Sequence, residues 1–259
     1  MKKYIRYWYL LSVNSFSAMM VSRFGGFLFL LGKGLRFSFF LIFIVLITQQ
    51  TKSLSGYTLN QAVFFFLTFN IIDTISQLLF REVYRFRQLV VSGNLDHVLV
   101  KPISPLFRSL LGGADPFDLL MMIPFSVVTF IIAQSFHPTV FGIISYFVLI
   151  ISGLLLAGAI HIFVLGLAIL TTEIDHSIMI YRDITSMGRV PIDIYREPLR
   201  GFLTFVIPVG IMFTFPAKAL MGLLSVGWVL IGIVISVFFL ILSIKFWKYS
   251  LIRYSSASS

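Results

Sequence analysis

Apolar residues in this chain fall in long runs separated by polar connections. Six runs approach the roughly 20 predominantly apolar residues that cross a bilayer as a helix. They extend from about Leu35 to Leu54, Leu59 to Phe80, Phe117 to Phe136, within Val140 to Leu170, about Leu199 to Phe215, and Val226 to Ile244. Gln49, Gln50 and Lys52 dilute the end of the first run. The fourth is longer than one span requires, which predicts a tilted or protruding helix. Pro208 lies inside the fifth run and Pro216 ends it. Proline removes a backbone donor and clashes with the preceding turn, so a kink or a turn back is expected there. The connections Gln50–Thr58, His137–Thr139 and Pro216–Ser225 are short, whereas Arg81–Pro116 and Thr171–Arg200 are long and charged.

Composition fixes the class. Of 259 residues, 58% are hydrophobic and 12% charged. Soluble domains carry about 45–50% apolar and about 25% charged residues. Half the usual charge cannot cover a soluble surface, which excludes a soluble enzyme, a disordered tail and a fibrous protein. The expected fold is all-α, a polytopic membrane protein with six transmembrane helices. The net charge of +10 follows the spans: 18 of the 20 Lys and Arg residues fall on one side, and only Lys52 and Lys218 on the other. Lys and Arg are retained in the cytoplasm. Both termini are therefore expected inside, and the basic excess reports orientation, with no nucleic acid implied. Trp247, Tyr249 and Trp228 fit interfacial belts at the ends of the sixth run. Cysteine is absent, so no disulfide, thiolate metal site or cysteine nucleophile is available.

The N-terminal stretch begins like a signal peptide with Lys2 and Lys3. However, its apolar run Tyr7–Leu11 is short, and no small-residue cleavage site follows. An amphipathic helix on the inner surface is expected instead, with Ile5, Trp8, Phe16 and Met19 in lipid. The whole chain, 1–259, then reads as a single transmembrane domain. It comprises an interfacial helix and entry (1–34), a cytoplasmic region (81–116), a second cytoplasmic loop (171–198) and a tail (245–259).

The search for chemistry is mostly negative. No G-x-S-x-G, H-E-x-x-H or G-x-x-x-x-G-K-[ST] occurs, so no catalytic residue and no phosphate loop is assigned. Only Glu173, Asp175 and His176 form a cluster of three; Thr172-x-x-Asp175 resembles a helix capping box more than a metal site, and no metal is expected. Polar residues in the second run say more. Asn70, Asp73, Thr74 and Gln77 stand at offsets 0, 3, 4 and 7, one stripe of a helix, and Arg81 extends it. Such residues are costly in lipid, so this face should meet protein or water. It either lines a path or gate, or holds the helix to a neighbour. His161 stands alone in the fourth run and reads as packed. Gly153, Ala157, Gly158 and Gly166 around it suit close helix contact.

In the 81–116 region, Val83, Phe86 and Val90 recur at helical spacing. The stretch Val91-Ser92-Gly93-Asn94 then breaks the pattern, and Asn94 is placed to cap a short helix through Leu95, Val98 and Leu99. Lys101-Pro102 stops that helix. A compact knob with exposed Asp96, His97 and Lys101 is expected, suited to anionic lipid or to a cytoplasmic partner. The run Ser92-Gly93-Asn94-Leu95-Asp96-His97-Val98-Leu99-Val100-Lys101-Pro102-Ile103-Ser104-Pro105-Leu106-Phe107 resembles the cytoplasmic signature of type-2 ABC transporter permeases. The stretch Phe202–Pro208 with Phe215-Pro216-Ala217, and the six-span layout, resemble the same family over nearly the whole chain.

That resemblance implies the transmembrane subunit of a bacterial multidrug-, lipid- or peptide-type exporter, multi-pass in the inner or plasma membrane. It implies two ABC ATPase subunits as partners, and pairing with a second permease, identical or a sister. ATP and Mg would sit on the ATPase, with no cofactor on this chain, which is therefore not itself an enzyme. Coupling helices would lie within Arg81–Leu99 and Thr172–Gly188. The coupling candidates are Gly93, Leu95, Asp96, His97, Leu99, Lys101 and Pro102 in the first, and Glu173 and Asp175 in the second. Asn70, Asp73, Thr74 and Gln77 become translocation-path candidates, and Pro208 and Pro216 mark a re-entrant turn at the outer face. The few intramembrane charges suggest hydrophobic or amphipathic cargo. The competing reading is an ATP-independent membrane protein, such as a lipid scramblase or small-solute carrier.

Overall fold

The computed structural model describes residues 2–20, 23–171 and 175–255, and all regular elements among them are helical. Helix α1 (Lys2–Met20) precedes α2 (Arg23–Thr51). A tight turn follows, in which Leu54 and Tyr57 exchange backbone hydrogen bonds of 2.9 and 3.0 Å. Helix α3 (Leu59–Phe80) begins with a capping box: Thr58 Oγ1 accepts from the Gln61 N–H, and Gln61 Oε1 accepts from the Thr58 N–H. The knob contains a 3₁₀ turn (Arg81–Arg85), α4 (Phe86–Val91), α5 (Leu95–Leu99) and α6 (Pro105–Leu110). Then come α7 (Pro116–Gln134) and α8 (Val140–Thr171). Asp115 caps α7 through the Phe117 N–H at 2.8 Å, with Pro116 in its favoured first position. Helix α9 (Asp175–Ser186) leads through 3₁₀ turns at Met187–Arg189 and Ile192–Ile194 to α10 (Leu199–Gly201). A π turn (Phe202–Val206), a second (Gly210–Thr214), α11 (Phe215–Leu220) and α12 (Val226–Ile252) complete the chain.

Helices α2, α3, α7, α8 and α12 are each long and apolar enough to cross a membrane. Helix α8 is the centre of the bundle, with Leu149, Leu156 and Leu165 fully buried. Its small residues permit close approach, as expected. A Cβ on Gly153 would lie 2.7 Å from the Met212 carbonyl oxygen, and one on Gly166 would lie 2.7 Å from the Phe246 ring. Larger residues there would hold the Gly210–Thr214 turn and α12 away from α8.

The fifth passage differs from the expectation. Leu199–Val206 and Gly210–Leu220 are bent by 79° at Pro208 and are not one straight helix. Both arms return to the Tyr57 end of the bundle: Glu197 and Arg200 line one cavity with Lys218, Leu223 and Trp228. Pro208 sits at the bend, while Pro216 lies in the first turn of α11 and does not end the helix. The stretch 175–194 instead runs along the bundle from the knob end to the Tyr57 end. Tyr181 packs on His161 at 4.9 Å, Arg189 lies over Phe40 and Phe69 in mid-helix, and the Ile192 N–H donates to Thr214 Oγ1 at 3.1 Å. Asp193 then reaches Tyr57 at the far end, at 2.8 Å. The stretch 187–198 is thus no loop at the knob end, and Arg196 and Arg200 leave the basic side of the tally. The hydropathy of 175–194 is low because its polar groups face inward.

Three further expectations change. Asn94 does not cap α5; its side chain donates to Ser92 Oγ at 2.8 Å, and the break is made by Gly93 at φ +72°. Trp247 is buried against Phe86 (6.0 Å), so it belongs to the core and not to an interfacial belt. Trp8 turns toward the protein, with its indole nitrogen buried, while Ile5, Tyr9 and Val13 form the outward face of α1. Helix α1 is clasped to the knob. Lys3 Nζ donates to the Pro102 carbonyl at 2.5 Å, Tyr4 packs edge-on against Phe107, and Ser12 Oγ accepts from the Ala114 N–H at 3.0 Å.

Candidate functional site

Three helical faces with one spacing converge at membrane depth. On α2 the positions are Lys33, Arg36, Phe37 and Phe40; on α3 they are Asn70, Asp73, Thr74 and Gln77. On α9 and its extension they are Arg182, Thr185, Ser186 and Arg189. Each set stands at offsets 0, 3, 4 and 7, which puts all four residues on one side of a helix. Asp73 lies seven residues inside α3 from Phe80, about 10 Å at helical rise. It faces Arg36 and Arg189 across the cavity and accepts a 2.9 Å hydrogen bond from Gln77 Nε2. Asn70 donates to the Phe66 carbonyl of its own helix at 2.6 Å. The expected stripe is therefore a cavity wall, and the α2 and α9 walls are what the sequence reading missed. The 0/3/4/7 pattern that identified α3 also runs from Arg182 to Arg189 and was available there.

At the knob end two buried carboxylates pair with cations of the cavity wall. Lys33 pairs with Asp118, and Arg81 pairs with Asp115 and stands 3.8 Å from Asp118. Two further cavities share Arg36, Gln77, Tyr84 and Arg182 in their linings: one of about 340 Å³ runs from Asp73 to Arg182 beneath His161, and one of about 650 Å³ opens between Lys33, Arg81 and Arg182. His161 is packed in a cage of Phe80, Tyr84 and Tyr181 and bonds the Ala157 carbonyl at 2.7 Å. No three His, Cys, Asp or Glu residues gather as metal ligands among the described residues.

The coupling candidates separate by exposure. His97, Lys101 and Pro102 are exposed, and Gly93 makes the left-handed turn before α5. Leu95 is fully buried and anchors α5 with Val98, so it cannot itself contact a partner; Leu99 is half-buried against the same core. Asp96 is half-buried, not exposed. Glu173 and the capping residue Thr172 lie outside the described residues. Asp175 opens α9, and its side chain also lies outside them.

The family model for "ABC-2 family transporter protein" matches residues 35–258. The chain belongs to the ABC-2 transporter family. A search of curated proteins and a search of solved structures return no match. In the ABC-2 family the chain of this type is the membrane subunit and normally pairs with ABC ATPase subunits. This ABC-2 protein is accordingly a multi-pass membrane protein.

The Tyr57 end of the ABC-2 chain is latched by one carboxylate. Asp193 accepts from Lys218 (2.7 and 2.9 Å to its two oxygens) and from the Tyr57 hydroxyl (2.8 Å), while Ser55 donates to its carbonyl at 3.1 Å. Burial pushes the Asp193 carboxyl up, but the hydrogen bonds from Lys218 and Tyr57 outweigh it and hold the pKa below the ordinary value. A folded pKa below the unfolded one gives stability that is present above about 3.9 and is lost as pH falls through the folded value. The latch therefore holds at neutral and mildly acidic pH. In Lys218→Gln the Asp193 pKa should rise, and the acid loss should begin at higher pH. Melting temperatures of wild type and variant between about pH 3 and 7 check this; superimposable acid limbs would remove the latch.

Proposed function

We propose that this chain is the permease subunit of an ABC exporter in a bacterial inner or plasma membrane. It moves a hydrophobic or amphipathic substrate by alternating access, driven by a separate ATPase that holds ATP and Mg. The observation that carries this reading is the convergence of charged and polar residues from α2, α3 and α9 on adjoining cavities inside the bundle, in a chain of the ABC-2 family. Charged residues at such depth face a path or a partner. The basic excess at the knob end supports a cytoplasmic position for both termini and for 81–116. There His97, Lys101 and Pro102 offer an exposed rim over a buried Leu95–Val98 base for docking the ATPase. A second permease, identical or a sister, completes the path.

A tagged chain solubilised mildly from its own host should bring down an ABC ATPase; none in the eluate would overturn the reading. The docking rim has its own test. Gly93→Val forces a β-branched residue into φ +72°, a conformation that costs roughly 1–3 kcal/mol. It should shift α5 and lower substrate-stimulated ATP hydrolysis while the chain still inserts, and Lys101→Glu should do the same without backbone strain. Normal stimulation in both would take the docking role away from the knob.

A further inference from the structure

The cavity carries more cation than its own carboxylates balance. Lys33 and Arg81 are already paired with Asp118 and Asp115. Arg36, Arg85, Arg182 and Arg189 remain on the walls, opposite only Asp73 and Asp183 among the described residues. Among the described residues, Arg36, Arg182 and Arg189 make no ion pair within 4 Å. Arg189 instead lies over the rings of Phe40 (5.6 Å) and Phe69 (5.8 Å). Arg36 and Arg182 are exposed to the cavity. Unbalanced guanidinium groups at this depth are costly unless an anion from outside the chain joins them. Planar guanidinium forks also suit phosphate, sulfate or carboxylate oxygens.

One turn further toward the Tyr57 end, the wall becomes aromatic. Phe37 stacks on Phe66 at 5.1 Å and packs on Phe125 at 4.7 Å, and Phe40 stacks on Phe66 at 4.9 Å. The cavity is thus cationic below and apolar above.

We propose that Arg36, Arg182 and Arg189 bind the anionic head of an amphiphile whose apolar body lies against Phe37 and Phe40, which the buried Phe66 backs. This rests on the path assignment above and narrows its cargo to anionic amphiphiles. The neutral and cationic members of the hydrophobic class are disfavoured by the same surplus charge.

The test uses the full chain in maltoside detergent with a fluorescent anionic fatty-acid probe. Dodecyl phosphate should displace the probe at a concentration at least about tenfold below that of dodecylphosphocholine. In Arg36→Gln/Arg182→Gln that ratio should fall to near one, and in Lys245→Gln/Lys248→Gln, on α12, it should be unchanged. Equal displacement by the two amphiphiles in wild type overturns the proposal, whether or not the double variant folds. So does an unchanged ratio in Arg36→Gln/Arg182→Gln or, if that variant is lost, in Arg189→Gln. Displacement by inorganic phosphate as effective as by dodecyl phosphate also overturns it, because the apolar wall would then be idle. In nanodiscs, competition by phosphatidylglycerol would identify a bilayer lipid as the source of the head group, and its absence would identify a soluble amphiphile. None of these readings needs an ATPase, so loss of the co-purifying ATPase would strike the exporter assignment and leave anion binding standing.

Discussion

Asp115→Ala should lower the melting temperature of the detergent-solubilised protein by roughly 6–12 °C, the largest stability effect expected from a single polar substitution here. Asp115 is 1% exposed, caps α7 through the Phe117 N–H, and pairs with Arg81 at the end of α3. Losing an N-cap costs about 0.5–2 kcal/mol. Removing one partner of a buried ion pair costs about 3–5 kcal/mol, because the remaining charge is left uncompensated. Two features hold the total near about 3 kcal/mol, the lower end of that range. Arg81 keeps about a third of its side-chain exposure, and Asp118 stands only 3.8 Å away to receive it. For a chain of this size, 1 kcal/mol is worth about 2–4 °C. Asp115→Asn retains an acceptor for the cap and loses only the charge, so it should fall between alanine and wild type. A melting temperature within about 2 °C of wild type for Asp115→Ala would show that α7 is not anchored through this pair.

The same cluster shows where a sequence can and cannot be read. Helix α3 was legible to its end residues, Leu59 and Phe80, because an apolar run bounded by Thr58 and Arg81 leaves a helix little freedom to begin or end elsewhere. The Val83, Phe86 and Val90 face was legible for the same reason: helical spacing of apolar groups requires burial, and all three are buried. The pairing of Lys33 with Asp118 was not. It joins residues 85 positions apart, and nothing local to either one marks the other.

The fifth passage was misplaced for a different reason. Hydropathy measures the solvent a residue prefers, and Arg182, Asp183 and Arg189 prefer water wherever it is found. Here those residues face a cavity within the bundle, so a polar segment runs its length while an apolar one, Leu199–Leu220, bends at Pro208. Pro208 marked the turn, yet the apolar length around it was read as a span. A polar stripe at 0/3/4/7 is evidence of a helix with one wet face, and depth has to be settled by its neighbours. For 182–189 those neighbours are His161, Phe69 and Phe40, none adjacent in sequence.

Asp73→Ala should cut substrate-stimulated ATP hydrolysis of the reconstituted complex by at least about tenfold while insertion and permease pairing stay intact. Asp73 is the carboxylate that Arg36 and Arg189 face, so it competes with any cargo anion for the same two guanidinium groups. A path that binds cargo must also release it, and release needs a replacement counterion at the cations. Without Asp73, dodecyl phosphate should bind roughly five- to 150-fold tighter, the range spanned by a coupling of about 1–3 kcal/mol. Turnover should slow in step, because an anion held equally well throughout the cycle gains nothing from a change of conformation. Asp73→Asn decides between charge and hydrogen bonding: it can still accept from Gln77 but carries no charge. If Asp73 serves release, asparagine behaves like alanine. If Asp73 only ties α3 together, asparagine behaves like wild type, alanine lowers the melting temperature, and dodecyl phosphate affinity is unchanged in both. That pattern would return the α3 stripe to a structural role and leave Arg36, Arg182 and Arg189 as the groups that meet the cargo.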